Sequence, residues 1–149
     1  MTRSTDKAPL DALREAISGG GFVREITTGS MAPVLVPGDL VRFTRGVRLP
    51  RVGEIWAFES TSRGHHIAHR VIGRRADGRV LMKGDNLLWP DGWIDQKRLF
   101  GPALERRRDG RWQSLTGRRT RARGLVRSAL GSLRLVLAKV AAPLASPTR

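Results

Sequence analysis

The 149-residue chain has no cysteine and no tyrosine, and its aromatic complement is four tryptophans and four phenylalanines. Without cysteine it has neither a disulfide framework nor a thiolate metal site. No apolar run approaches the ~18 residues that a membrane-crossing helix needs. The amino-terminal stretch from Met1 to Pro9 is polar, so no cleavable signal segment is expected. The expected location is the cytoplasm or the periphery of a membrane. Acidic residues are scarce in one region only. Residues 1–96 hold 14 Lys/Arg against 11 Asp/Glu, whereas residues 97–149 hold 14 against 2. Most of the net charge of +15 therefore belongs to the carboxyl-terminal third. Such a tail suits an anionic membrane surface, nucleic acid or an acidic partner. After Trp112 it carries no aromatic for stacking on bases, which argues against nucleic acid.

Periodicity divides the chain into three parts: 1–21, 22–116 and 117–149. In the first, Leu10, Leu13, Ala16 and Ile17 share a face, predicting a short helix over 9–18 that Gly19-Gly20-Gly21 ends. In the second, short β-type runs are broken by Gly and Pro. Strands are predicted over 22–28, 40–44, 54–59, 67–73, 79–83, 99–107 and 111–115, with turns at Asp77-Gly78 and Asp109-Gly110. Short strands without helical period between them predict a mainly β, mostly antiparallel fold. In the third part, Gly117 to Arg123 reads as a basic linker and 124–144 as an amphipathic helix. Leu125, Val126, Ala129, Leu130, Leu133, Val136, Leu137 and Val140 fall on one side. Arg127, Ser128, Ser132 and Lys139 fall on the other, and Leu135 is out of place. An apolar stripe beside a cationic face suits either a membrane surface or packing on the protein itself.

The chemistry-bearing residues lie in the second part. Ser30 stands in Thr28-Gly29-Ser30-Met31-Ala32-Pro33, where Gly29 permits an unusual backbone geometry and Pro33 stiffens the exit. A serine hydroxyl needs a base before it is a useful nucleophile. His69 lies in a strand whose alternation puts Ile67, His69 and Val71 on one face, and histidine's ordinary pKa near ~6.5 suits proton transfer. Asp85, in the Gly84-Asp85 turn, is the first candidate to orient the imidazole. Asp91 and Asp95 are nearby alternatives, Asp91 the stronger. The Thr28 hydroxyl and the Ser30 amide are candidates to hold an oxyanion. Asp39 reads as the holder of the Pro37-Gly38-Asp39 turn, and Lys83 as a weaker alternative base. Strand spacing would scatter His65, His66 and His69 over both faces, so no metal is expected, and no motif calls for a cofactor.

Taken together, these blocks resemble the type I signal peptidases and their relatives, the self-cleaving repressors. Ser30 in Thr-Gly-Ser-Met-Ala-Pro matches the nucleophile motif and Pro37-Gly38-Asp39 the turn that follows it. Val52-Gly53-Glu54-Ile55 resembles the next strand start, with Glu54 in place of Asp. His69-Arg70-Val71-Ile72 and Lys83-Gly84-Asp85-Asn86 match the archaeal and endoplasmic-reticulum branch, with Asp91 where its second aspartate lies. The similarity runs from Phe22 to Arg108. It implies a coiled antiparallel β fold and a serine endopeptidase with a Ser30 nucleophile and a His69 base. Asp85, with Asp91, would steady the base, and Thr28 with the Ser30 amide would hold the oxyanion. The implied substrate is a precursor peptide or protein carrying a leader or signal segment. Family members that process exported proteins carry a membrane anchor before the nucleophile, a position occupied here by the short polar helix. Two other readings compete. One is a self-cleaving regulatory protein, for which twenty residues leave little room for a DNA-binding unit. The other is a non-catalytic module that binds nucleic acid or membrane through the basic tail.

Overall fold

The computed structural model describes residues 20–45, 48–60 and 66–141. The helix predicted over 9–18 lies outside the described residues. Eight strands are present among the described residues: β1 (Gly21–Glu25), β2 (Leu40–Thr44), β3 (Ile55–Glu59), β4 (His66–Arg74), β5 (Val80–Lys83), β6 (Gly92–Ile94), β7 (Leu99–Arg108) and β8 (Arg111–Ser114). Helix α1 (Arg118–Ala141) follows them. All pairings are antiparallel in the order β1-β2-β7-β3-β4-β5-β6, with β8 on β7. The chain is thus mainly β, with one carboxyl-terminal helix.

β7 joins the two halves of the sheet. Its later residues pair with β2 and β8, and its earlier residues pair with β3. Register shifts in β2, β3 and β4 mark bulges, which bend strands and increase their twist. β3 reads Ile55-Trp56-Ala57-Phe58 without a polar break because both of its faces are covered. Ile55 and Ala57 join Met31, Leu35, Val41, Phe43 and Ala103 in one buried cluster. Trp56 and Phe58 join Val71, Val80, Met82 and Ile94 in a second. The two clusters lie on either side of the strand that pairs with β4, so the backbone carrying His69 is held by packing on both sides of β3.

β6 and the 3-10 turn at Gln96–Arg98 fall in a stretch whose sequence predicted no strand. β6 is only three residues long and contains Gly92, too short to show alternation. α1 begins at Arg118, so the predicted basic linker is largely helical. Residues 142–144 of the predicted helix lie outside the described residues.

Candidate active site

β1 leaves the sheet at Glu25 and the chain turns back to β2 through residues 26–39. That connection carries Ser30 and is tied down at each end. At the far end Ile26 N donates to Asp39 O and Gly38 N to Ile26 O, both at 2.8 Å, while Gly38 takes a positive φ of 92°. Asp39 Oδ2 accepts from Val36 N at 2.9 Å, and Arg108 grips both carboxylate oxygens at 2.8 and 2.6 Å. Burial raises the Asp39 pKa, but the Arg108 pair and the Val36 amide outweigh it and leave the carboxyl below its ordinary value. Asp39 therefore holds its turn, as expected. At the near end Met31 is buried in the first core cluster, and its sulfur accepts from Asp85 N at 3.4 Å. The peptide bond between Ala32 and Pro33 is cis.

The β5–β6 loop passes directly against this turn. Asn86 N donates to Ser30 O at 2.8 Å, and Asn86 Nδ2 donates to Gly29 O at 3.2 Å. At Gly84 a Cβ would approach Ser30 O to 2.7 Å and also meet Leu87, so only glycine lets the loop come this close. Asn86 and Gly84 hold the Ser30 backbone from a part of the chain more than fifty residues away. Their pairing with the Ser30 turn has no local signal in the sequence, because it depends on where β5 ends.

His69 points from β4 to Ser30. Its Nε2 lies 3.0 Å from Ser30 Oγ, and its Nδ1 lies 2.6 Å from Asp91 Oδ2. The imidazole is buried against Phe58, with ring centroids 5.9 Å apart. A carboxylate at Nδ1 accepts the proton there, which leaves Nε2 as the acceptor facing the serine hydroxyl. Thr28 Oγ1 lies 3.4 Å from Ser30 Oγ on the solvent side. Asp91 is fixed by its own amide, which donates to Met82 O at 2.8 Å.

Asp85 is not the partner of His69. It is fully buried and forms a two-pronged pair with Arg70, Nε to Oδ1 at 2.7 Å and Nη2 to Oδ2 at 2.6 Å. Arg70 Nη1 also donates to Gly53 O at 2.8 Å. The reason is strand alternation: His69 and Arg70 are neighbours on β4 and face opposite sides. Asp85 lies on the Arg70 side, whereas Asp91 returns at the start of β6 on the His69 side.

α1 closes that other side. A Cβ at Gly124 would run into the Arg70 guanidinium, and one at Gly131 into the Asp85 carbonyl. Ser128, between them and buried, takes Lys83 Nζ on both its carbonyl and its hydroxyl at 3.2 Å, and Lys83 also donates to Gly84 O. Burial holds the Lys83 amine below its ordinary pKa, against the pull of Asp85 and Asp91. Lys83 thus serves as a fastener between β5 and α1, and its amine makes no hydrogen bond to Ser30. Glu54, the predicted stand-in for Asp, collects Arg48, the Arg51 amide and Trp56 Nε1 at 2.8–3.0 Å, with Arg121 of α1 at 3.8 Å. Burial raises its pKa, and those donors together bring it below the ordinary carboxylate value.

Ser30, His69 and Asp91 open onto a cleft of about 1030 Å³. Phe22, Ile26, Met31, Phe43, Ala57 and Ala68 give it an apolar lining, and the residues from Thr27 to Gly29 border the serine. Arg24 of β1 reaches His66 Nδ1 of β4 at 3.0 Å, and the His66 ring lies 4.3 Å from that of Phe100. His65 lies outside the described residues. Among the described residues, no three His, Cys, Asp or Glu side chains cluster as a metal site would. Nor is any helix among them long and apolar enough to cross a membrane. No family model and no curated protein matches the chain.

Proposed function

We propose that this protein is a serine endopeptidase in which Ser30 attacks a peptide carbonyl, His69 accepts the serine proton and Asp91 balances the imidazolium. One observation carries the reading: a relay from Ser30 Oγ to His69 Nε2 at 3.0 Å and from His69 Nδ1 to Asp91 Oδ2 at 2.6 Å, opening on a cleft. A buried histidine that only filled space would not require a hydroxyl at one nitrogen and a carboxylate at the other.

In the first step the Ser30 Oγ–C bond forms as the proton passes to Nε2, and the carbonyl oxygen becomes an oxyanion. Thr28 Oγ1 and the Ser30 amide supply its donors. His69 then returns the proton to the leaving amine. Water, deprotonated by the same nitrogen, releases the acyl group. β1 ends the strand order and lines the cleft, so an extended substrate can gain main-chain hydrogen bonds along it. The apolar lining suits small apolar side chains near the cut.

The resemblance of these motifs to the Ser-His branch of the signal peptidases supports a narrower reading, removal of a leader or signal segment from a precursor. The test is incubation of the protein, and of Ser30→Ala, with a diverse peptide library and with precursor peptides encoded nearby, reading cut sites by mass spectrometry. Cuts that vanish in Ser30→Ala support the enzyme. Cuts that persist in Ser30→Ala place the chemistry elsewhere, and an inert wild-type protein returns the chain to the binding-module reading.

A further inference from the structure

Helix α1 has two faces of unlike character, and the apolar one is turned away from the protein. Gly124, Ser128 and Gly131 lie against the sheet, over Arg70, Lys83 and Asp85, and half-buried Leu135 falls on the same side of the helix. Val126, Leu130, Leu133, Val136 and Leu137 point outward, each between 43% and 59% exposed. At the helical period these five span an arc about 120° wide, roughly opposite the seated face. Arg123, Arg127 and Arg134, all exposed, border that arc along one side. The 24 residues of the helix include seven Lys/Arg and no Asp/Glu.

We propose that α1 is a docking surface for an anionic phospholipid bilayer. The helix lies flat, its apolar stripe among the upper acyl chains and its arginines on the lipid phosphates, while the small-residue face stays on the sheet. Charge selects this occupant. A second copy of α1 would bring one uniformly cationic helix against another, and like charges at such distance repel. Nucleic acid would satisfy the arginines but leave five exposed apolar side chains without a partner. An anionic bilayer satisfies both features. The lipid contact itself is independent of the proposed proteolysis.

The test is co-sedimentation of the full chain with vesicles of phosphatidylcholine alone or mixed with phosphatidylglycerol, at low and high salt. Binding is expected to be at least about tenfold tighter to the anionic vesicles and weakened by salt. Leu130→Glu combined with Leu137→Glu should lower it by about a hundredfold without shifting the melting temperature, since both side chains lie in solvent. Arg127→Glu with Arg134→Glu should abolish the preference for anionic lipid. Because the chain has no cysteine, a dye on Leu133→Cys gives a second reading, and its emission should shift to the blue on anionic vesicles. Equal partition to neutral and anionic vesicles, a dye that stays in water, or an acidic double variant that still binds would overturn the proposal. So would a stripe-dependent dimer that ignores vesicles, or tight nucleic-acid binding that the double glutamate variant retains.

Discussion

Replacing Asp91 by asparagine keeps a side chain of similar size at His69 Nδ1 but removes the charge that would balance an imidazolium. Turnover is expected to fall by about a thousandfold or more. With its side chain 22% exposed, the melting temperature should hardly move. Asp85→Asn should behave in the opposite way. It leaves the buried Arg70 guanidinium without a counter-charge, at a cost of about 3–5 kcal/mol in unfolding free energy, while the molecules that remain folded cleave at close to the normal rate. Measuring both quantities for both variants separates the two roles. If Asp85→Asn lost turnover at full stability, the assignment to Asp91 would fail. Ser30→Ala should abolish cleavage and change stability by no more than about 0.5 kcal/mol, as expected for a partly exposed turn residue.

At the scale of elements, the contact between α1 and the β5–β6 loop is the one to probe. Gly131→Val drives a branched side chain into the Asp85 carbonyl. It should cost about 1–3 kcal/mol even though valine is a better helix former than glycine. Leu130→Ala, one position earlier but pointing outward, should change stability by about 0.5 kcal/mol or less. Denaturant unfolding of the two variants reports directly which face is seated. Gly84→Ala addresses the other side of the same loop. Its Cβ would push on Ser30 O, so the expected loss is in kcat, with Ser30 displaced from His69.

For the whole molecule, the arrangement of charge sets the response to acid. Asp39 and Glu54 are both held below the ordinary carboxylate pKa by arginines and amides that outweigh the effect of burial. A carboxylate whose pKa is lower folded than unfolded adds stability above its unfolded pKa and loses it as pH falls through the folded value. Stability should therefore be flat near neutrality and decline below about pH 4, measurable as melting temperature against pH. Asp39→Asn with Glu54→Gln should flatten that decline. The same charge layout makes removal of α1 a poor test of function, because truncation would uncover Arg70, Lys83 and Asp85 together.

Local patterns were enough to read most of the strands and the Ser30 turn, whereas the pairing of Ser30 with His69 rested on the resemblance of the motif blocks. Alternation and glycine turns act between neighbours in the chain, and a hydroxyl in a Gly-Ser-Met-x-Pro turn is visible without a fold. Deciding between the two aspartates required knowing which side of β4 each loop returns on, a matter of strand order and not of spacing. Leu135 is out of place in the apolar stripe because it falls on the opposite side of the helix, with Gly124, Ser128 and Gly131, where it is half-buried. Helix burial here follows steric fit: only Gly124, Ser128 and Gly131 let α1 approach the Arg70–Asp85 pair and cap Lys83. The bulky leucines and valines could not come that close, and so they face outward. Composition wrote both stripes into the helix, and the buried charges beneath it determined which one points in.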